Sequence, residues 1–131
     1  MFILRKQFDF EAAHFLPLVS AGHQCGRMHG HSYTVIIEVG AENLKNGFVI
    51  DFADVNRFIK PLIKSLDHQL LNDFLENPTV ENICTFIAEH FLASLGDEFI
   101  YDKRDQEVFL LAVEVSETSK TKCRLEMREL I

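Results

Sequence analysis

From Ile3 to His14 the chain alternates, and that alternation limits the fold more than any other feature of the sequence. Leu4, Phe8, Phe10, Ala12 and His14 share one parity, broken by Lys6, while Arg5, Gln7, Asp9 and Glu11 share the other. A period of two puts successive side chains on opposite faces, so the segment reads as a strand with one face in a core and one in water. The pattern returns from His29 to Gly40, where His29, His31, Tyr33, Val35, Ile37 and Val39 oppose Ser32, Thr34 and Glu38. Between the two, Leu16 to Met28 holds Pro17, Ser20, Gly22 and Gly26 and reads as a loop. Two half-buried strands in succession call for an antiparallel sheet whose apolar face something else must cover.

The cover is supplied by the middle of the chain. Asn46-Gly47 marks a turn, with Phe48 to Ile50 returning as a short strand. Asp51 can then cap a helix whose apolar positions are Phe52, Val55, Ile59, Leu62, Ile63 and Leu66. Pro61 falls inside it, and since an interior proline costs about 3 kcal/mol, a bend or break is predicted near Lys60. A second helix starts near Thr79, after Pro78, with Val80, Ile83, Cys84, Ile87, Phe91 and Leu95 as its buried stripe and Gly96 as its stop. The charged stretch Asp97 to Gln106 reads as a surface loop. Glu107 to Glu117 and Cys123 to Ile131 read as strands joined through Thr118 to Lys122, a connector short enough for a hairpin. The predicted order is ββααββ. It describes one α+β domain over residues 1–131, an antiparallel four-stranded sheet with two helices on one face.

Composition excludes several classes. With a net charge of −7 and no basic cluster, the chain lacks the footprint of a nucleic-acid binder. A small anionic substrate remains admissible, because local cations matter more than the total. No leader-like run follows Met1 to Lys6, and no apolar stretch is long enough to cross a bilayer, so no membrane partner is expected. Three cysteines, an odd and sparse set, suit a reducing compartment, and the expected location is the cytoplasm.

The chemistry concentrates at the ends of the first two strands. His29-Gly30-His31 projects two imidazoles from one face of a strand, about 6 to 7 Å apart along the backbone. Two rings that close can share one metal ion. His14 ends the preceding strand on its apolar parity, so antiparallel pairing would bring it to the same place. Three histidines with one open position suit catalytic rather than structural zinc. Cys25 lies in the loop close before His29, near His23 and Arg27, where its thiol could serve as a fourth ligand, a base or a nucleophile. Asp67-His68 closes the first helix as either a proton relay or a helix-end pair. Glu117 continues the parity of Phe109, Leu111, Val113 and Val115, so its carboxylate ends an apolar face or marks a solvated strand terminus.

Phe10-Glu11-Ala12-Ala13-His14, Cys25-Gly26-Arg27-Met28-His29-Gly30-His31, Leu66-Asp67-His68, Pro78-Thr79-Val80-Glu81-Asn82 and Glu117-Thr118 follow one another in a distinctive order. Over essentially the whole chain they resemble the 6-pyruvoyltetrahydropterin synthase family. The three-residue gap between Cys25 and His29 is similar to that of the family's branch that forms 6-carboxy-5,6,7,8-tetrahydropterin for queuosine.

The resemblance implies a tunnelling fold, in which subunits join their sheets into a barrel, two trimeric rings stack into a homohexamer, and active sites form between subunits. It implies a zinc cofactor held by His14, His29 and His31, with Cys25 as the proton-transferring thiolate and Asp67 with His68 as its relay. Glu117 would anchor the pterin ring, and Thr79 and Glu81 would contribute to the same pocket; a triphosphate also needs cations at its mouth, for which His23, Arg27 and lysines of a neighbouring subunit are the candidates. The implied reaction converts 7,8-dihydroneopterin triphosphate to 6-carboxy-5,6,7,8-tetrahydropterin, releasing acetaldehyde and triphosphate without a nicotinamide cofactor. Two alternatives stay open: a pyruvoyl-forming enzyme that releases triphosphate only, and a non-catalytic zinc-binding protein on the same fold.

Overall fold

The computed structural model describes residues 1–96 and 106–131. Strand β1 (Phe2–His14) pairs antiparallel with β2 (His29–Ala41) along its whole length, from Phe2 opposite Ala41 to His14 opposite His29. Helix α1 (Phe52–Leu66) follows, then a two-residue strand β3 (Gln69–Leu70), helix α2 (Val80–Ser94) and the hairpin of β4 (Phe109–Thr118) and β5 (Thr121–Leu130). The sheet order is β3-β1-β2-β4-β5. Helix α1 packs over β1, and α2 over β4 and β5.

The α+β class and the ββααββ frame agree with the sequence reading, but the sheet has five strands rather than four and is not wholly antiparallel. The addition is β3, which runs parallel to β1 against Ala12 and Ala13. Two residues carry no readable alternation, so no period could announce it. The rest of the β1 edge, from Phe2 to Glu11, has no strand beside it among the described residues, and neither does the outer edge of β5.

Three local expectations change. Helix α1 runs unbroken through Pro61. Arg57, whose carbonyl loses its partner there, and Pro61 itself are both exposed, so water can satisfy the freed oxygen. Asn46 and Gly47 form the tight turn, both with positive φ (53° and 84°), but pairing stops at a single Lys45–Phe48 bridge, and Val49 and Ile50 are buried without forming a strand. In β4 the register slips between Leu110 and Ala112, so Leu110, not Leu111, is fully buried. Leu111 instead crosses Gly40, where a Cβ would meet its Cδ1 at 2.6 Å and the Phe2 carbonyl at 3.0 Å.

Both helices begin and end as their sequences direct. The Asp51 carboxylate accepts from the Ala53 N–H at 2.8 Å, and Val55, Ile59, Ile63 and Leu66 turn inward. Thr79 caps α2, and Gly96, at φ 59°, follows its end. Of the predicted Asp97 to Gln106 loop only Gln106 lies within the described residues. Its side-chain amide donates to the carbonyls of Asn43 and Phe48 at 2.7 and 2.8 Å.

Candidate active site and metal centre

Strand register assembles the site. His14 is the last residue of β1 and stands opposite His29, the first of β2, while His31 lies two residues along the same face opposite Ala12. One ring nitrogen from each of His14, His29 and His31 lies within 4.8 Å of the others. His14 is 1% exposed and the other two are half-buried. Their rings meet edge to face, with centroids 4.6 to 5.1 Å apart.

The hydrogen bonds behind the rings fix what they present. His14 Nδ1 lies 2.8 Å from the Pro78 carbonyl oxygen and His29 Nδ1 lies 2.6 Å from that of Arg27. A carbonyl only accepts, so each Nδ1 carries the proton and each Nε2 presents a lone pair. These two Nε2 atoms face each other at 3.0 Å. Two lone pairs at that distance repel unless a cation lies between them, so the donor set fits a metal that takes imidazole nitrogen. Burial holds the His14 pKa below its ordinary value. The Pro78 hydrogen bond and Glu117 oppose this shift, while His29 and His31 add to it. A neutral imidazole is the ligand form.

Glu117, near the end of β4, brings Oε1 to 3.9 Å from His14 Nε2, too far for a hydrogen bond. The strand positions Val113, Val115 and Glu117 do share the inner face. The Phe109 and Leu111 end of that predicted parity is displaced by the register slip.

Asp67 and His68 form a second cluster on the outer edge of β1. Asp67 Oδ1 accepts the Glu11 N–H at 2.8 Å, and Oδ2 accepts from His68 Nδ1 at 2.8 Å. The backbone N–H of His68 returns a bond to the Glu11 carbonyl, and His68 takes a left-handed φ of 58° to do so. The Glu11 amide, then His68, hold the Asp67 carboxyl below the usual carboxylate range. A cleft of about 560 Å³ lies beside this cluster, bordered by His31, His68, Glu11, Ser32 and Gln69 among others.

The remaining predicted residues are less convergent. Cys25 sits half-buried in a short 3-10 turn, its N–H donating to His23 Nδ1 at 3.0 Å and its carbonyl accepting from Leu16 at 2.8 Å. It belongs neither to the three-histidine group nor to the lining of the cleft. Thr79 uses its hydroxyl to cap α2, and Glu81 is exposed in the helix's first turn. Arg27 is exposed and touches the site through its backbone carbonyl. The Pro78 carbonyl, which orients His14, is a backbone group and leaves no side-chain signal in the sequence. Tyr33 also joins the site, its ring 5.9 Å from that of His14 and 5.5 Å from that of His31, and its strand parity did point there.

An α+β chain with a histidine triad at the mouth of its first two strands is matched, over residues 3–128, by the family model for 6-pyruvoyl tetrahydropterin synthase. The chain belongs to that family. A Bacillus subtilis protein named 6-carboxy-5,6,7,8-tetrahydropterin synthase is 34% identical over 93% of this chain and 83% of its own length. An Archaeoglobus fulgidus protein given that name provisionally is 43% identical over 58% of this chain, a stretch equal to 64% of that protein. The solved structure of Caenorhabditis elegans 6-pyruvoyl tetrahydropterin synthase superposes with a TM-score of 0.77 at 20% identity, over 96% of this chain and 95% of the other. That likeness establishes the tunnelling fold. Among the described residues no helix is long and apolar enough to cross a membrane.

Proposed function

We propose that this chain is a zinc-dependent 6-carboxy-5,6,7,8-tetrahydropterin synthase, a carbon–carbon lyase acting on 7,8-dihydroneopterin triphosphate on the route to queuosine. The observation that carries this reading is the pair of Nε2 lone pairs of His14 and His29 at 3.0 Å, with the Glu117 carboxylate 3.9 Å from His14. Family membership and the names of relatives support a pterin substrate.

His14, His29 and His31 would hold the zinc, which when bound would polarise oxygen on the substrate's side chain. Glu117 offers two acceptor oxygens, the right complement for the adjacent N–H donors of a pterin's guanidine-like edge. Cys25 takes a proton from the side chain. Asp67, ionised at neutral pH, holds the proton of His68 on Nδ1 and leaves Nε2 free to exchange protons with the thiol. Arg27, Thr79 and Glu81 are assigned to the same pocket more distantly.

Cys25 does not line the cleft that His68 borders, which favours sites completed between subunits. The open edges of β1 and β5 suit the joining of copies into a barrel, and a homohexamer of single-domain subunits in the cytoplasm is the assembly we assign.

Incubation with 7,8-dihydroneopterin triphosphate should release acetaldehyde and triphosphate together. Triphosphate without acetaldehyde would identify the pyruvoyl-forming alternative, and no turnover by zinc-loaded protein would identify a binding protein.

A further inference from the structure

Tyr33 is 1% exposed, and among the described residues its hydroxyl has no hydrogen-bond partner. A buried hydroxyl left unpaired destabilises a fold, so its presence here points to a partner acquired in another state. The ring cannot easily move away. It stacks on Phe10 with centroids 5.0 Å apart and planes 11° from parallel, and it meets the edges of His14 and His31. On β2 it faces the same way as His31. The paired residues Thr34 and Ser116 make Glu117 its neighbour across to β4. The Glu117 carboxylate is correspondingly short of donors, since its approach to His14 is 3.9 Å. Among the described residues a buried donor without an acceptor thus adjoins, on one face of the sheet, a part-exposed carboxylate with no hydrogen-bond donor.

We propose that Tyr33 is a positioning residue for Glu117, its hydroxyl donating to the carboxylate and fixing its plane when a ligand occupies the site. The inference rests on Glu117 being the pterin anchor. The three histidines gather the metal side of the site, and Tyr33 links that side to the ring-binding side through one hydrogen bond.

Tyr33→Phe keeps the ring and removes the hydroxyl. Zinc content, the thermal midpoint of substrate-free protein, and KM and kcat for 7,8-dihydroneopterin triphosphate are compared for Tyr33→Phe, Glu117→Gln and the double variant. The expected result for Tyr33→Phe is unchanged zinc, an unchanged or higher midpoint, and KM raised roughly tenfold, the size of one hydrogen bond to a charged group. Its kcat should stay within about twofold, because uniform binding is what is lost. The double variant should be no worse than Glu117→Gln alone. A lowered midpoint with unchanged KM would make Tyr33 a packing residue, and additive effects would break its link to Glu117. If Glu117→Gln raises KM and Tyr33→Phe does not, the Tyr33 proposal alone fails. If Glu117→Gln leaves KM unchanged, the anchor reading fails and takes this proposal with it.

Discussion

The two histidine-bearing clusters of this chain are built in opposite ways. His14, His29 and His31 lie on the inner face of the sheet, and the Nδ1 protons of His14 and His29 are committed to backbone carbonyls, leaving Nε2 lone pairs converging at 3.0 Å. His68 lies on the outer edge of β1, with its side chain 77% exposed, its proton held by a carboxylate and its backbone in a left-handed turn. The first cluster is complete within one chain and suited to a cation. The second is oriented but open, suited to proton exchange with a group brought to it. The difference teaches that strand register alone can gather a candidate metal site, whereas the proposed relay depends on how the end of α1 docks against the Glu11 backbone.

The sharpest way to break that contrast is to remove a ligand. His29→Ala should lose zinc by more than the roughly 10- to 100-fold that loss of an outer partner costs, as read by metal analysis after dialysis. Stoichiometric zinc in that variant would separate the triad from the metal. Cys25→Ala should keep its zinc and lose about 10²- to 10⁴-fold in turnover, the range of a general base, and full activity would remove the thiol from the reaction.

The end of the sheet remote from the site gives a control. Gly40→Ala places a Cβ against Leu111 and the Phe2 carbonyl, so a loss of about 1–3 kcal/mol in denaturant unfolding is expected without change in zinc affinity. The smallest effect is the acid response of Asp67. Its folded-state pKa is depressed, so its contribution to stability is present above the ordinary carboxylate pKa of 3.8 and is lost as pH falls through and below that value. Asp67→Asn should therefore be less stable near neutrality, with its unfolding curve converging on that of the parent protein in acid. Parallel curves would show that the Glu11 and His68 bonds add nothing.

Much of this was legible in the sequence for a simple reason. Period-two alternation fixes which face a residue takes, so His14, His29, His31, Tyr33 and Glu117 could all be placed on one side before any coordinates. What escaped lacks a period or a side chain. Strand β3 is two residues long, the Pro78 carbonyl is backbone, and the slip at Leu111 reverses parity without any change in composition. Pro61 misled because its effect depends on whether the freed carbonyl meets water, which the solvent-facing side of α1 provides. Cys25 gave no geometric signal, and its role rests on family resemblance.

The most direct test is anomalous X-ray scattering at the zinc edge from crystals of the metal-loaded protein. We expect one peak per chain, about 2.0–2.1 Å from Nε2 of His14, Nε2 of His29 and a ring nitrogen of His31. A zinc peak at any other residues, or none in protein that turns over substrate, would contradict the account.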